Sequence, residues 1–243
     1  MKLSVIIPAY NQDELIKYHV EFCMKSTLVP DEIIVVNDGG ADTLKDILKG
    51  IEKKTNLIYA KIDQNIEWNQ PGARNLGVWL SRGDYLAMED ADHFPPDTYY
   101  EDAFKLDRDI VIAHNRRFIN FDDLRQGNFE NWKRQGTHRF VSVMKREVYL
   151  KLKGFDERFC GLYGWDVPDW IRRCNRNGIT VGMSNFYWTV RDGFVKDLHR
   201  RTDANGKFYP RADNYKVLQS NDMILAKQHP EGILKFTYSY EYL

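Results

Sequence analysis

The run 71-PGARNLGVWLSRGDYLAMEDADHFPPD-97 decides the reading of the fold. Pro71 and Gly72 open a helix with Leu76, Val78 and Leu80 as its apolar positions. The spacing predicts that it ends at Arg82-Gly83, where glycine suits the left-handed residue after a helix. Residues 84–88 follow as a short apolar strand. Its tip carries Glu89, Asp90, Asp92 and His93, and Pro95-Pro96 then stops the chain from adding to a sheet and opens the next helix. A helix feeding straight into a buried strand that ends in acids marks an α/β unit whose strand tips face a ligand.

The same alternation extends upstream. Residues 3–8 (LSVIIP), 32–36 (EIIVV) and 57–62 (LIYAKI) read as buried strands, and 13–26 and 43–53 as helices. Strand and helix in turn imply right-handed crossovers and a mainly parallel sheet. Downstream, 109–113 and 140–144 read as strands, 145–153 and 166–177 as helices, and 179–190 as strand. Residues 114–139 are rich in Asn, Arg, Asp and Gly and read as loops or an edge insertion. The chain turns polar and irregular from 191 to 223, and the tail alternates Phe236, Tyr238, Tyr240 and Tyr242 with other residues.

The chain has 243 residues, 43% hydrophobic and 14% aromatic, enough for one sizeable core. Thirty-five basic and 35 acidic residues cancel, so charge gives no reason to expect nucleic acid as a partner. Cys23, Cys160 and Cys174 lack CxxC spacing and read as reduced thiols of an intracellular, cytoplasmic chain. The apolar run near the N-terminus is too short for a signal segment, and none approaches the ~20 residues that span a bilayer. Peripheral membrane contact stays open, and the sequence does not set an oligomeric state.

Four strand tips would converge on one ligand: Pro8-Ala9-Tyr10-Asn11, Asn37-Asp38-Gly39-Gly40, Asp63-Gln64-Asn65 and Asp90-Ala91-Asp92-His93. Tyr10 offers a flat face to a base, and Asp38 can accept a hydrogen bond from a ring N–H. Gly39 and Gly40 would let backbone approach a ligand closely. Asp90 and Asp92, one residue apart in a turn, can converge on one divalent ion with open positions for phosphate oxygens, which suits Mg²⁺ or Mn²⁺. Each feature alone is also ordinary turn chemistry; their order and spacing carry the reading.

The run SVIIPAYNQDELI, then DEIIVVNDGGAD, then NQPGARNLGVWLSRGDYLAMEDADHFPPD resembles the family 2 nucleotide-sugar glycosyltransferases of GT-A fold. The likeness covers residues 2–97 and returns at Lys153-Gly154-Phe155-Asp156-Glu157. It implies a GT-A catalytic domain over 1–200, with a nucleotide-binding half at 1–97 and an acceptor and catalytic half at 98–200. Residues 201–243 would be a C-terminal extension packed on that domain. It further implies that Pro8, Ala9 and Tyr10 line a nucleobase pocket and that Asp38 bonds uracil N3–H. Arg74 would lie near the base and the acids, Asp90 would meet ribose or the metal's water shell, and Asp92 would ligate the metal. The family often has a fourth acid where this chain has His93, so His93 is not assigned as a ligand, and Glu89 reads as structural support.

The segment 161–173 is similar to the stretch that carries the catalytic base in inverting relatives. The match is imperfect: anchored on Trp170 and Arg173, the family's usual base position falls on Val167. Asp166 is the favoured base and Asp169 the alternative, which also fits a helix N-terminus. Trp165, beside Asp166, is the candidate acceptor platform. His199 is a further metal candidate, with Arg200 and Arg201 beside it for phosphate. The resemblance implies a metal-dependent, inverting transferase that moves a sugar from a nucleoside-diphosphate donor, a UDP-sugar, to a hydroxyl acceptor such as a glycan. A retaining transferase and a non-catalytic nucleotide-sugar binding protein are the alternatives. A nucleotidyltransferase would place a Gly-rich loop where this chain has Pro-Ala-Tyr-Asn.

Overall fold

The computed structural model describes residues 1–134, 141–161, 163–190 and 236–243. At its centre is β1 (Leu3–Ala9), buried along all seven residues. Alternate side chains serve opposite faces: Val5 and Ile7 join the core on one side, Ile6 the core on the other. A strand covered on both faces needs an unbroken apolar run, and LSVIIPA supplies it.

Parallel to β1 lie β2 (Glu32–Asn37) on one side and β4 (Tyr85–Met88) on the other, with β3 (Asn56–Ile62) beyond β2. The helices α1 (Asp13–Cys23) and α2 (Thr43–Lys49) bury Ile16, Val20, Leu44 and Leu48 on the Val5 face. On the Ile6 face α3 (Gln70–Leu80) buries Ala73 and Leu76. This half is the parallel α/β unit that the sequence predicts, although α1 and α2 stop at Cys23 and Lys49, short of the expected ends.

The second half adds β5 (His93–Phe94), α4 (Tyr99–Lys105), β6 (Ile110–Ile119), α5 (Phe121–Gln126), β7 (Lys133–Arg134), β8 (Ser142–Lys145), α6 (Arg146–Lys151), α7 (Asp166–Arg176), β9 (Val181–Val190) and β10 (Tyr238–Tyr242). The sheet runs β10-β3-β2-β1-β4-β8-β6-β9-β5, with β7 paired to β6. Here it is mixed: β8 is antiparallel to β4 and β6, while β6 and β9 are parallel. The tail strand β10 lies antiparallel along β3, Tyr240 opposite Ala60. No helix of the described residues is long and apolar enough to cross a membrane.

Several expectations need correcting. Residues 114–119 are strand, and α5 follows. Their polar look arises because Arg117 sits on the strand with its guanidinium 3.4 Å from the Phe186 ring centroid and 4.3 Å from that of Trp132. The prolines do not open α4; the chain pairs as β5 just before them, and the helix starts at Tyr99 after Thr98. Gly83 is not a left-handed cap, because α3 ends through an extended Ser81. A Cβ on Gly83 would lie 2.4 Å from Ser4 Oγ and 2.8 Å from Ser4 N, so close approach to β1 excludes a side chain. Likewise Gly39 is crowded by the chain itself, with Gln64 O 2.6 Å from where its Cβ would sit.

The contact of α3 with β1 yields a test. In a free helix, Gly→Ala stabilises by about 1 kcal/mol. At Gly77 a Cβ would meet Ile6 Cγ2 at 2.4 Å, deep in the core. Gly77→Ala is expected to destabilise by roughly 1–3 kcal/mol, as overpacking does. The measurement is the urea-unfolding midpoint, and a midpoint above wild type would refute the packing argument.

Candidate active site

At the carboxyl ends of β1, β2 and β4 opens a cleft of about 440 Å³. Pro8, Ala9, Tyr10, Asp38, Arg74, Asp90, Asp92, Trp165 and Asp166 all line it. The structure thus brings together most of the residues singled out in the sequence. His199 lies outside the described residues. Asp169 does not line the cleft: its carboxylate is buried and accepts a 2.8 Å hydrogen bond from Arg173 Nε, one turn along α7.

One end of the cleft is built by the tips of β1 and β2. The Asp38 amide donates to Ala9 O at 2.8 Å, which locks the two tips together. The buried Asp38 carboxylate accepts from Asn69 Nδ2 at 3.0 Å. Tyr10 Oη accepts from Asn65 Nδ2 at 3.3 Å, so the loop after β3 fixes the ring. Asn11, Trp68 and Trp165 hold left-handed backbone at φ 50°, 46° and 73°. Such residues cost energy in isolation and cluster at binding sites. Here Trp68 and Trp165 line the cleft, and Asn11 adjoins Tyr10.

The centre is a charge relay through Arg74. Its guanidinium, 1% exposed, donates from Nη2 to Asp90 Oδ1 at 2.7 Å and from Nη1 to Asp166 Oδ2 at 3.1 Å. Gln70, one turn earlier on α3, donates to Asp90 Oδ1 at 2.6 Å. Only a planar fork can serve two carboxylates in this way. Asp166 opens α7, and Gly164 and Trp165, both left-handed, turn the chain so that Asp166 meets Arg74. Burial pushes the Asp166 carboxyl up, Arg74 pulls it down, and burial wins, leaving it above its ordinary value.

The turn after β4 offers a second donor set. Ligand atoms of Asp90, Asp92 and His93 lie within 4.8 Å of one another. His93 Nδ1 is 3.3 Å from Asp90 Oδ2, and Nε2 is 3.9 Å from Asp92 Oδ1. Two partly exposed carboxylates opening on a cleft supply the hard oxygens that Mn²⁺ or Mg²⁺ takes. The donor set therefore fits a divalent ion, with His93 closer to it than the sequence suggests. Burial pulls the His93 ring down, but the carboxylates of Asp92 and Asp90 outweigh it and hold the ring above its ordinary value.

Several residues in and beside the cleft escaped the sequence reading. Trp68 meets the Tyr163 ring edge-on, centroids 4.4 Å apart. Asn69 and Gln70 precede the recognised Ala-Arg-Asn motif, and their value appears only once Asp38 and Asp90 are in place. Arg116 lines the cleft from β6, its buried Nε without a hydrogen-bond partner among the described residues; its guanidinium lies 4.9 Å from the Phe118 ring centroid. Reading 114–119 as strand would have aimed it.

The family model Glycosyl transferase family 2 matches residues 4–160. The chain is similar to dolichyl-phosphate beta-glucosyltransferase of Dictyostelium discoideum, 33% identical over 178 residues, 65% of this chain and 52% of that one. It is 31% identical to the uncharacterized glycosyltransferase YibD of Escherichia coli (strain K12) over 190 residues, 77% of this chain and 46% of that one. The chain spans about half the length of these curated relatives. Among solved structures, S. aureus TarS 1-349 in complex with UDP-GlcNAc matches with TM-score 0.71 at 16% identity, over 92% of this chain and 66% of that one. The mannosyltransferase PcManGT from Pyrobaculum calidifontis, in complex with GDP-Man and Mn²⁺, matches with TM-score 0.55 at 18% identity, over 82% and 60%. At such identities the structures share the GT-A fold.

The Arg74 relay has a pH signature. Breaking a buried pair costs roughly 3–5 kcal/mol because a charge stays behind. In Arg74→Met the Asp166 carboxyl loses the guanidinium that pulls it down and rises further above its unfolded value. The folded variant then binds protons more readily than the unfolded chain, so its stability recovers as pH falls. Unfolding at neutral and mildly acidic pH should show the deficit against wild type shrinking on the acid side. A deficit independent of pH would contradict the charge argument.

Proposed function

The chain belongs to glycosyltransferase family 2, and from that membership we propose that it transfers a sugar from a UDP-sugar to a hydroxyl acceptor such as a glycan, inverting the anomeric carbon. The observation that carries this reading is the shared cleft. Asp166, a carboxylate outside the Asp90, Asp92 and His93 donor set, lies across Arg74 from the Asp90–Asp92 turn. The UDP-GlcNAc and GDP-Man held by the two relatives of the same fold support a nucleotide-sugar donor.

The base stacks on Tyr10 beside Pro8 and Ala9, and Asp38, held by Asn69, accepts from its ring N–H. Asp92, with Asp90 directly or through water, would hold Mn²⁺ or Mg²⁺, and His199 is a further candidate ligand. The bound ion would offset negative charge on the diphosphate leaving group. Arg116 brings a second cation to the same cleft. The acceptor sugar rests on Trp165. Its hydroxyl oxygen attacks the anomeric carbon from the face opposite the diphosphate, and the proton passes to the Asp166 carboxylate. The new C–O bond forms as the bond to the diphosphate oxygen breaks, and that oxygen keeps the electron pair.

Burial gives Asp166 a raised pKa, which favours proton acceptance nearer neutral pH. Since the ionised form is the base, kcat/KM should fall as pH drops through that value, on a limb above the usual ~3.9 of aspartate. Asp166→Asn should lower transfer by several orders of magnitude, yet keep the thermal shift given by UDP-sugar with Mn²⁺. Near wild-type transfer by this variant would remove Asp166 from the role. Proton NMR of the product should show an anomeric configuration opposite to the donor's; the same configuration would mean retention.

A further inference from the structure

Directly behind the acidic turn lies a polar cluster with no opening to solvent. His19 of α1 and Glu89, the last residue before the turn acids, are both 0% exposed. His19 Nε2 is 2.6 Å from Glu89 Oε2, and Nδ1 is 3.2 Å from Ala91 O, between the two candidate metal acids. Tyr100 Oη donates to Glu89 Oε1 at 2.6 Å, and Cys23 Sγ donates to Oε2 at 3.6 Å. The imidazole also packs on Phe94, centroids 4.5 Å apart. A carbonyl oxygen only accepts, so Nδ1 must carry a proton. His19 thus touches the turn before, within and after Asp90-Ala91-Asp92.

We propose that His19 and Glu89 are positioning residues for metal binding: Glu89 orients the imidazole, and the imidazole pins the Ala91 carbonyl inward. With the Ala91 carbonyl held behind the turn, the carboxylates on either side of it are held toward the cleft. The inference rests on the metal reading of Asp90 and Asp92. His19, Cys23 and Glu89 also have ligand atoms within 4.8 Å of one another, but these atoms are buried and already hydrogen-bonded. Groups that orient metal-binding residues from behind typically contribute 10–100-fold in affinity.

Two isosteres separate the pinning from mere stability. Asparagine at 19 places its amide where Nδ1 lies, keeping the donor to Ala91 while taking the Nε2 contact from Glu89, which keeps Tyr100 and Cys23. Glutamine places its amide where Nε2 lies, keeping the Glu89 contact while losing Ala91. The readout is Mn²⁺ affinity with saturating UDP, followed by the electron paramagnetic resonance of the free ion, beside each variant's melting temperature. His19→Gln is expected to weaken Mn²⁺ about tenfold, whereas His19→Asn binds it near wild type despite a lower melting temperature. An affinity order that follows the melting temperatures, or His19→Gln binding like wild type, would overturn the inference. Should His19→Asn not fold, Glu89→Gln takes its place, since its amide can donate to Nε2 and leave Nδ1–H on Ala91. Asp92→Ala is the control: if it too binds Mn²⁺ as wild type does, the metal reading itself fails.

Discussion

Everything in the cleft hangs on one guanidinium. Arg74 comes from the parallel half of the chain, and Asp166 comes from the mixed half. Their pairing fixes how the tip of β4 sits against the start of α7. Arg74 also lies 5.0 Å from the Phe155 ring centroid, and Phe155 stacks on Trp170 of α7 at 4.9 Å. The charge contact is therefore clamped by aromatic packing on the Ile6 side of the sheet. A buried ion pair is weak evidence for stability in general. Here it sets the distance between the turn that would hold an ion and the carboxylate that would take a proton.

The two faces of the sheet divide the work. On the Ile6 face, α3 delivers Gln70 and Arg74 from successive turns of one helix. On the opposite face, α1 sends His19 under the same acidic turn. The turn is thus held from both sides of the sheet, while its carboxylates stay partly open to solvent. Rigid support around a polar, solvent-reached tip is what a site needs when its ligand arrives with its own charges.

Most of the first half was legible because its signals are local. Unbroken apolar runs such as LSVIIPA and EIIVVN leave no other place for a strand than a sheet covered on both faces. Asp38, Asp90 and Asp92 were legible because strand tips of such a sheet share one side, and Arg74, on α3, through the resemblance of its Ala-Arg-Asn helix. The rest depends on partners far away in sequence. Arg117 looks like a loop residue until Trp132 and Phe186 surround it. Glu89 reads as structural support, but what it supports shows only once His19, 70 residues earlier, meets it. Asp166 leads Asp169 on paper, and the partners each finds separate them: Asp166 meets Arg74 and lines the cleft, while Asp169 pairs with Arg173 one turn along α7. Gly83 reads as a helix cap only while the nearness of Ser4 is unseen.

The tail strand has a consequence for how the chain reaches this state. A sheet edge left bare presents unpaired amides and carbonyls that invite another chain. β10 covers the outer edge of β3, and Thr237 meets Gln64 across 173 residues of sequence. A contact of that separation pays a large loop-closure entropy and tends to form late. Until β10 docks, β3 would stand as an open edge. The last residues to dock act as the molecule's own protection against self-association.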